Sequence, residues 1–151
     1  MTRGSLLVAV TLTGLSAGLF ATFSYAVMPG LRRTDDASFV QTMRAMNVAI
    51  LNPVFVLVFV GAGVAAVVAL ASGWRSDARP WLVAGLALYV VGAYVVTAAV
   101  NVPLNDALAA GTSPAAELRA AFEDRWIVVN HVRSLLTTAA FVCLVIGSVT
   151  L

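Results

Sequence analysis

Four long runs without a charged residue dominate the pattern of this chain. They extend over residues 4–31, 45–74, 80–105 and 134–151. A helix that crosses a bilayer needs roughly 20 mostly apolar residues, and a charge at its centre costs about 2.5–3.5 kcal/mol. The pattern therefore predicts an all-α fold, a four-transmembrane-helix bundle in one integral membrane domain, 1–151. We place the spans at about 5–28, 45–72, 80–101 and 126–150.

The second span is predicted to be kinked by proline. Asn52-Pro53 interrupts its apolar run. Proline removes one backbone hydrogen bond and clashes with the carbonyl four residues earlier. We therefore expect a kink near Asn47 to Ala49 and a cavity beside it.

Amphipathic helical extensions are expected on one side of the membrane, next to the second and fourth spans. The first covers about 36–51 and follows the capping sequence Thr34-Asp35-Asp36. The second starts at Ser113-Pro114 and continues unbroken into the last span. With four spans, the connections after the first and third spans lie on this same side.

Composition excludes several classes of protein. Apolar residues make up 61% of the chain, and mean hydropathy is +0.97, so the lipid bilayer is the expected partner. The net charge is only +2, and no basic cluster is dense enough for nucleic acid. The lone Cys143 excludes a disulfide within the chain. Gly85 and Gly92 share a helix face, which allows close helix packing and also a homo-oligomer.

The location is expected to be the plasma membrane. Cytoplasmic loops carry an excess of basic residues, so the distribution of arginine favours a cytoplasmic location for the side with the extensions. Six arginines lie on that side and three on the other. They are Arg32, Arg33, Arg44, Arg119, Arg125 and Arg133 against Arg3, Arg75 and Arg79.

Polar residues collect near one end of the predicted bundle. Amides and charges inside a bilayer are costly unless they are paired or line a wet cavity, so their concentration predicts a functional site. This end holds Asn47, Asn52, Asn101, Asn105, Asn130, His131 and Arg133.

The last span carries the most informative of these residues. At about 100° per residue, Trp126, Asn130 and Arg133 share one stripe, while His131 is turned away from it. Arg133 is either an anion anchor or the partner of a carboxylate. His131 is either a base or a hydrogen-bond donor to a neighbouring helix or headgroup. The carboxylates within reach of Arg133 are expected to be Asp106, Glu123 and Asp124.

Several candidates have simpler structural interpretations. Asn52 and Asn101 could satisfy carbonyls freed by nearby prolines, and Trp126 and Tyr25 could be interfacial anchors. A soft copper site is a less favoured alternative to packing, and no metal site is predicted. Its ligands would be Met28, Met43, Met46 and His131.

Four short motifs in order resemble the small integral-membrane anthrone oxygenase family over nearly the whole chain. They are Phe23-Ser24-Tyr25-Ala26-Val27-Met28-Pro29-Gly30-Leu31, Met43-x-x-Met46-Asn47 with Asn52-Pro53-x-Phe55, Asn101-x-Pro103-x-Asn105, and Trp126-x-x-x-Asn130-His131-x-Arg133. The resemblance implies a four-helix membrane bundle and, for characterised members, oxidation of an anthrone to an anthraquinone with molecular oxygen.

A mechanism without metal or flavin follows as a hypothesis, with molecular oxygen as co-substrate and a hydrophobic small molecule as substrate. His131 would remove a proton from an activated methylene. Arg133, together with Asn47, Asn101 and Asn130, would stabilise the resulting enolate oxygen. Substrate contacts are expected from Asn47, Asn52, Asn101, Asn105, Trp126, Tyr25 and Met28.

Two other functions remain open from sequence. The chain could be a non-catalytic bundle that binds a lipid, quinone or hydrophobic metabolite, or a small subunit of a membrane complex. In that case its asparagines would join helices and Arg133 would anchor a headgroup. A haem or copper protein is the third and least favoured alternative.

Overall fold

A computed structural model describes residues 3–150. Over this range the chain is helical apart from short connections, and it contains no strand. Five helices follow one another. They are α1 (Arg3–Leu31), α2 (Asp36–Ala49), α3 (Pro53–Gly73), α4 (Arg79–Ala110) and α5 (Ala115–Val149).

Four of these helices, α1, α3, α4 and α5, are long and apolar enough to cross a membrane. The predicted all-α fold with four spans is therefore confirmed, and the chain is an integral membrane protein by the length and composition of these helices. The shorter α2 is the first predicted extension, and the start of α5 is the second, because α5 runs unbroken from Ala115 to Val149.

The spans pack through small residues and expose large ones. Ala9 of α1, Ala66 of α3 and Ala140 of α5 are completely buried. By contrast, Leu57 is 63% exposed and Leu135 is 72% exposed. Large apolar side chains on the outside suit a lipid environment, where helices associate by close packing of small residues.

Gly92 allows one of the closest helix contacts. A Cβ atom built at this position would lie 2.6 Å from the Cβ of Leu136 on α5. Gly85 lies two helical turns earlier on the same face of α4, and a Cβ atom built there would come equally close to the side chain of Leu144 on α5. The predicted glycine face of α4 therefore packs on α5.

The predicted kink in the second span is wrong, because the chain breaks there instead. Helix α2 ends at Ala49, and α3 begins at Pro53, so the span starts at 53 rather than about 45. Asn52 between them has an extended backbone, and its side-chain oxygen accepts the N–H groups of Val54 and Phe55 at 3.0 Å. An Asn cap followed by proline at the first helical position starts a helix rather than bending one.

Two other prolines widen the helices that contain them. In α1 a π-helical segment, Phe23–Val27, ends two residues before Pro29, and in α4 another, Thr97–Asn101, ends two residues before Pro103. Proline cannot donate to the carbonyl four residues back and collides with it, so hydrogen bonding over five residues relieves the conflict. Asn101 is the buried residue of the second segment, whereas no residue of the first is fully buried.

Ion pairs outside the apolar region hold α1, α2 and α5 together. Glu123 accepts hydrogen bonds from Arg32 at 2.9 Å and Arg119 at 2.6 Å, and Arg119 also contacts Asp36 at 3.0 Å. These contacts fix the extension α2 against the ends of two spans. The hydrogen bond to Glu123 is the main reason that the pKa of Arg32 is raised.

Asp35 caps α2 as the sequence predicted. Its carboxylate accepts the Ser38 hydroxyl at 2.7 Å and the Ser38 N–H at 2.9 Å. These two bonds hold the pKa of Asp35 below its usual value. At α5, Pro114 precedes the first helical residue, and no side chain caps this end.

Candidate functional site

A cavity of about 290 Å³ lies where α1, α2, α4 and α5 meet, beside the α2–α3 break. We call it the polar cavity. Its walls are mostly apolar, as is usual for small-molecule sites, with a few polar groups among them. The polar side chains that line it are Arg44, Asn47, Thr97, Asn101, Asn105, Asp106, Trp126 and Arg133.

Arg133 forms the innermost charged group of the polar cavity. It is 7% exposed, and its Nη1 donates to the hydroxyl of Thr97 at 3.2 Å. Its guanidinium lies 4.1 Å from the ring centre of Phe20 and 5.6 Å from that of Trp126. No carboxylate among residues 3–150 forms an ion pair with it. A buried cation without an anion favours a ligand that brings negative charge.

Asn130 holds Arg133 in place and does not line the cavity. Its Oδ1 accepts from the Arg133 guanidinium, while its Nδ2 donates to the Phe20 carbonyl at 3.0 Å and to Ser24 Oγ at 2.8 Å. Ser24 lies in the π segment of α1 and also contacts Ser134 at 3.0 Å. The widened turn of α1 thus supplies the partner that fixes this amide.

Two amides at the cavity have unsatisfied groups. Both polar atoms of the Asn101 side chain are buried without a partner, and so is Nδ2 of Asn47. Asn101 itself is 1% exposed and lies in the π segment of α4. Buried amides are nearly always hydrogen-bonded in proteins, and leaving one unpaired costs about 1–3 kcal/mol. Their free groups therefore mark positions where a ligand can donate or accept.

Trp126 and Asn105 form one wall. The indole N–H donates to Asn105 Oδ1 at 3.0 Å, and the ring stacks on Phe122 with centroids 6.0 Å apart. Trp126 is only 3% exposed, so the expectation of an interfacial anchor is wrong. Its hydrogen bond instead fixes a flat aromatic surface next to Arg133.

Five of the residues that were predicted to form a site at this end line one cavity. The structure brings Asn47, Asn101, Asn105, Trp126 and Arg133 to one cavity, with Asn130 directly behind it. Their chemical roles stay predictions.

Four candidates lie elsewhere. Asn52 is an exposed helix cap, and Met28 is 1% exposed in an apolar cluster with Phe39. His131 and Tyr25 line a different surface, an apolar groove of about 600 Å³ between α1 and α5 that we call the outer groove.

The position of His131 contradicts its predicted role as base in this cavity. Its ring is exposed, and Nδ1 lies 2.7 Å from the Ile127 carbonyl of its own helix. The turn of about 100° between His131 and the Asn130–Arg133 stripe carries its side chain to the outer face. Tyr25 is 72% exposed on the same face, which suits the interfacial alternative.

The soft copper site is not assembled either. Met28, Met43 and Met46 pack in the apolar cluster around Phe39, whereas His131 lines the outer groove. Among the described residues, no three His, Cys, Asp or Glu side chains are grouped as metal ligands would be.

Sequence analysis missed several lining residues. Thr97 precedes Asn101 and Asn105 at steps of four, so the stripe on α4 carried a signal that could have identified it. Arg44 was counted only among the arginines on the side with the extensions, but its guanidinium donates to the Leu108 and Gly111 carbonyls at the end of α4. Phe20 gave no signal, because only the packing of α1 on α5 brings its ring to Arg133.

Comparison with known proteins relates this chain to a family. The family model described as anthrone oxygenase matches residues 42–143, which include every cavity residue of α2, α4 and α5 named above. No curated protein and no solved structure matches the chain.

Proposed function

Because this chain belongs to the anthrone oxygenase family, we propose that it is a membrane-embedded oxygenase that oxidises a lipophilic aromatic substrate of the anthrone type with molecular oxygen. We further propose that the reaction uses neither metal nor flavin. Oxygen is then the co-substrate, and the product is the corresponding quinone.

The observation that carries this proposal is that Arg133 lies in the polar cavity without an ion pair to any carboxylate among residues 3–150. An anthrone becomes reactive toward oxygen when its methylene loses a proton and its ketone oxygen becomes an enolate. Preorganised donors in a water-poor site stabilise such a developing charge far better than water does. Arg133 is buried beside the free amide groups of Asn47 and Asn101, and all three line the same cavity.

The aromatic walls support a flat substrate. Phe20, Phe55 and Trp126 line the polar cavity, and aromatic rings stack on one another in offset or edge-to-face arrangements. Asn101 and Asn105, from the motif Asn101-x-Pro103-x-Asn105, line the same cavity. A substrate that arrives through the lipid phase would meet the exposed apolar residues Val48 and Leu51 at the α2–α3 break.

For location we propose the plasma membrane, with the polar cavity near the cytoplasmic side. Six of the nine arginines belong to that end, and loops rich in basic residues are retained in the cytoplasm. Labelling of single cysteines introduced at Arg33 and Arg75 in intact cells tests the orientation, after Cys143 has been replaced by alanine. Labelling at position 75 only is expected, and labelling at position 33 only would reverse the assignment.

The proposed activity is tested with purified protein in detergent, anthrone as the probe, and both oxygen uptake and anthraquinone formation as readouts. Empty micelles give the uncatalysed rate. We expect Arg133→Met to lower the catalysed rate by about 10²–10³-fold, the usual effect of losing an oxyanion donor. Arg125→Met removes an exposed arginine of the same helix, and His131→Ala removes the outward histidine, so both should stay close to wild type.

Three results would contradict the proposal. A wild-type rate equal to that of empty micelles would favour the non-catalytic alternative, a protein that binds a lipid or quinone. Equal rates for wild type and Arg133→Met would remove the oxyanion role. Loss of activity after dialysis against a chelator, or a visible absorption band of haem, flavin or copper in active protein, would overturn the cofactor-independent mechanism.

A further inference from the structure

The polar cavity has a cation at its inner end and a carboxylate at its mouth. Arg133 is 7% exposed, whereas Asp106 lines the same cavity and is exposed. Thr97, which accepts a hydrogen bond from Arg133, precedes Asp106 by nine residues on α4. At 1.5 Å per residue, Asp106 lies about 13 Å farther along α4, toward the C-terminal end of that helix. A ligand that extends along α4 can therefore meet the two charges at opposite ends.

Asp106 is the one carboxylate among residues 3–150 that lines this cavity. Its side chain forms no hydrogen bond or ion pair within the described chain. Of the other carboxylates at this end of the protein, Glu117 does not line the cavity, and the remaining four are already engaged. Glu123 and Asp124 bind Arg32, Asp36 binds Arg119, and Asp35 caps α2.

The proposed reaction requires a proton acceptor within reach of the substrate, and general bases act through a hydrogen bond to the proton they remove. His131 cannot supply this group from the outer groove, and arginine and amide side chains are not acceptors of a proton under ordinary conditions. Asp106 has the right chemistry and lies at the cavity.

We propose that Asp106 is the catalytic base, and that the substrate lies with its ketone oxygen at Arg133 and its reactive methylene toward the cavity mouth. This inference rests on the proposed function. It adds to that function a base and an orientation of the anthrone in the cavity.

The steps balance without a further reactant. Asp106 takes one methylene proton, and the electron pair moves to the ketone oxygen, forming the enolate beside Arg133. The enolate then transfers electrons to O₂, and its carbon forms a bond to one oxygen atom. Asp106 returns its proton to the other oxygen atom to give the hydroperoxide. Asp106 next removes the second hydrogen of that carbon as the O–O bond breaks, and the departing hydroxide takes this proton. The methylene and O₂ have become a carbonyl and water.

Proton removal can be measured separately from oxidation. Anthrone whose methylene carries deuterium exchanges that label with solvent when a base removes and returns it, and the exchange requires no oxygen. The purified protein is incubated anaerobically with this probe, and the loss of deuterium is followed by mass spectrometry against empty micelles. Oxygen uptake is measured in parallel with unlabelled anthrone.

We expect Asp106→Asn to slow both exchange and oxidation by about 100-fold or more, as loss of a general base does. Asp106→Glu keeps the carboxylate and should recover a measurable part of both rates. Asp77→Asn, at the turn on the opposite side of the membrane, is the matched control and should leave both unchanged. Binding of 2-hydroxyanthraquinone, followed by tryptophan quenching, should be retained in Asp106→Asn and lost in Arg133→Met.

The outcomes separate this inference from the proposed function. Equal exchange rates in Asp106→Asn and wild type, or no exchange by wild type, would overturn the role of Asp106. Exchange that depends on Asp106 without any oxygen uptake would overturn the oxygenase and leave Asp106 as a base. Loss of 2-hydroxyanthraquinone binding in Asp106→Asn would indicate a disturbed cavity and contradict a purely catalytic role.

Discussion

The guanidinium of Arg133 donates two hydrogen bonds to one atom, Oδ1 of Asn130, from Nε at 3.2 Å and Nη2 at 2.7 Å. Both amide hydrogens of Asn130 are used on α1, so its oxygen is directed toward Arg133. An amide orients the guanidinium as a carboxylate would, but it leaves the positive charge uncompensated. The charge is thus available to a ligand.

Replacing this amide by a carboxylate should weaken anion binding. Asn130→Asp would place a negative charge against Arg133 and remove the donors to Phe20 and Ser24. We expect the affinity for 2-hydroxyanthraquinone, whose phenol has no internal hydrogen bond and ionises near neutral pH, to fall about tenfold or more, since 1.4 kcal/mol already corresponds to a factor of ten. Quenching of tryptophan fluorescence by the bound ligand measures this affinity. Unchanged affinity would mean that Arg133 does not bind the anion.

Asn101 should show opposite effects on stability and activity. Its amide has no partner among the described residues, so Asn101→Leu removes an unsatisfied buried group and should raise the free energy of unfolding by about 1–3 kcal/mol. Oxidation of anthrone should nevertheless fall, because a donor or acceptor to the substrate is lost. Unfolding in mixed micelles and oxygen uptake give the two values.

The matched control for Asn101 is Asn130, whose amide is fully engaged. Asn130→Leu should lower stability, since it leaves Arg133, the Phe20 carbonyl and Ser24 without a common partner. Destabilisation by Asn101→Leu as large as that by Asn130→Leu would contradict the assignment of Asn101 to ligand binding.

The contact between α4 and α5 should not tolerate a methyl group at Gly92. The added Cβ would lie 2.6 Å from the Cβ of Leu136, and both atoms are attached directly to helical backbone. We expect Gly92→Ala to lower the free energy of unfolding by about 1–3 kcal/mol, as overpacking does. Gly18→Ala is the comparison, because nothing lies within 4 Å of its added Cβ. A loss of stability as large for Gly18→Ala would exclude overpacking as the cause.

Acid should weaken the start of α2 through Asp35. The pKa of this carboxyl is lowered in the folded protein by its bonds to Ser38, so the cap contributes fully above the unfolded pKa of about 3.9. That contribution is lost as pH falls through the lower folded pKa. Asparagine caps a helix without titrating, so Asp35→Asn should show a smaller drop in melting temperature between pH 5 and pH 2 than wild type. Parallel melting curves for the two proteins would contradict this.

The break at Asn52-Pro53 is a feature of the fold that could be predicted only in part from the sequence. The uncharged run from Ala45 predicted a membrane span, and proline predicted a disturbance, both correctly. However, the same residues are compatible with a kink in one helix and with the start of a new helix. The outcome depended on whether Asn52 would cap the following turn, and its extended backbone with two accepted N–H groups shows that it does.

At the candidate site, the stripe on the last span predicted the positions of Trp126 and Arg133, and the direction of His131 followed from the same helical geometry. The partners of Asn130 and Arg133 on other helices could not be predicted. Asn130 bonds to Ser24 because a π segment before Pro29 widens α1, and Phe20 meets Arg133 because small residues let α1 approach α5.

The four spans and the concentration of polar residues at one end could be predicted from the sequence, because hydropathy and backbone chemistry act locally. Which polar groups are paired depends on the packing of the helices. This packing gave Asn130 three partners, left Asn101 with none, and turned His131 outward. The physical reason is that hydrogen bonding of a buried side chain depends on neighbours more than a hundred residues away, which helix packing alone brings within reach.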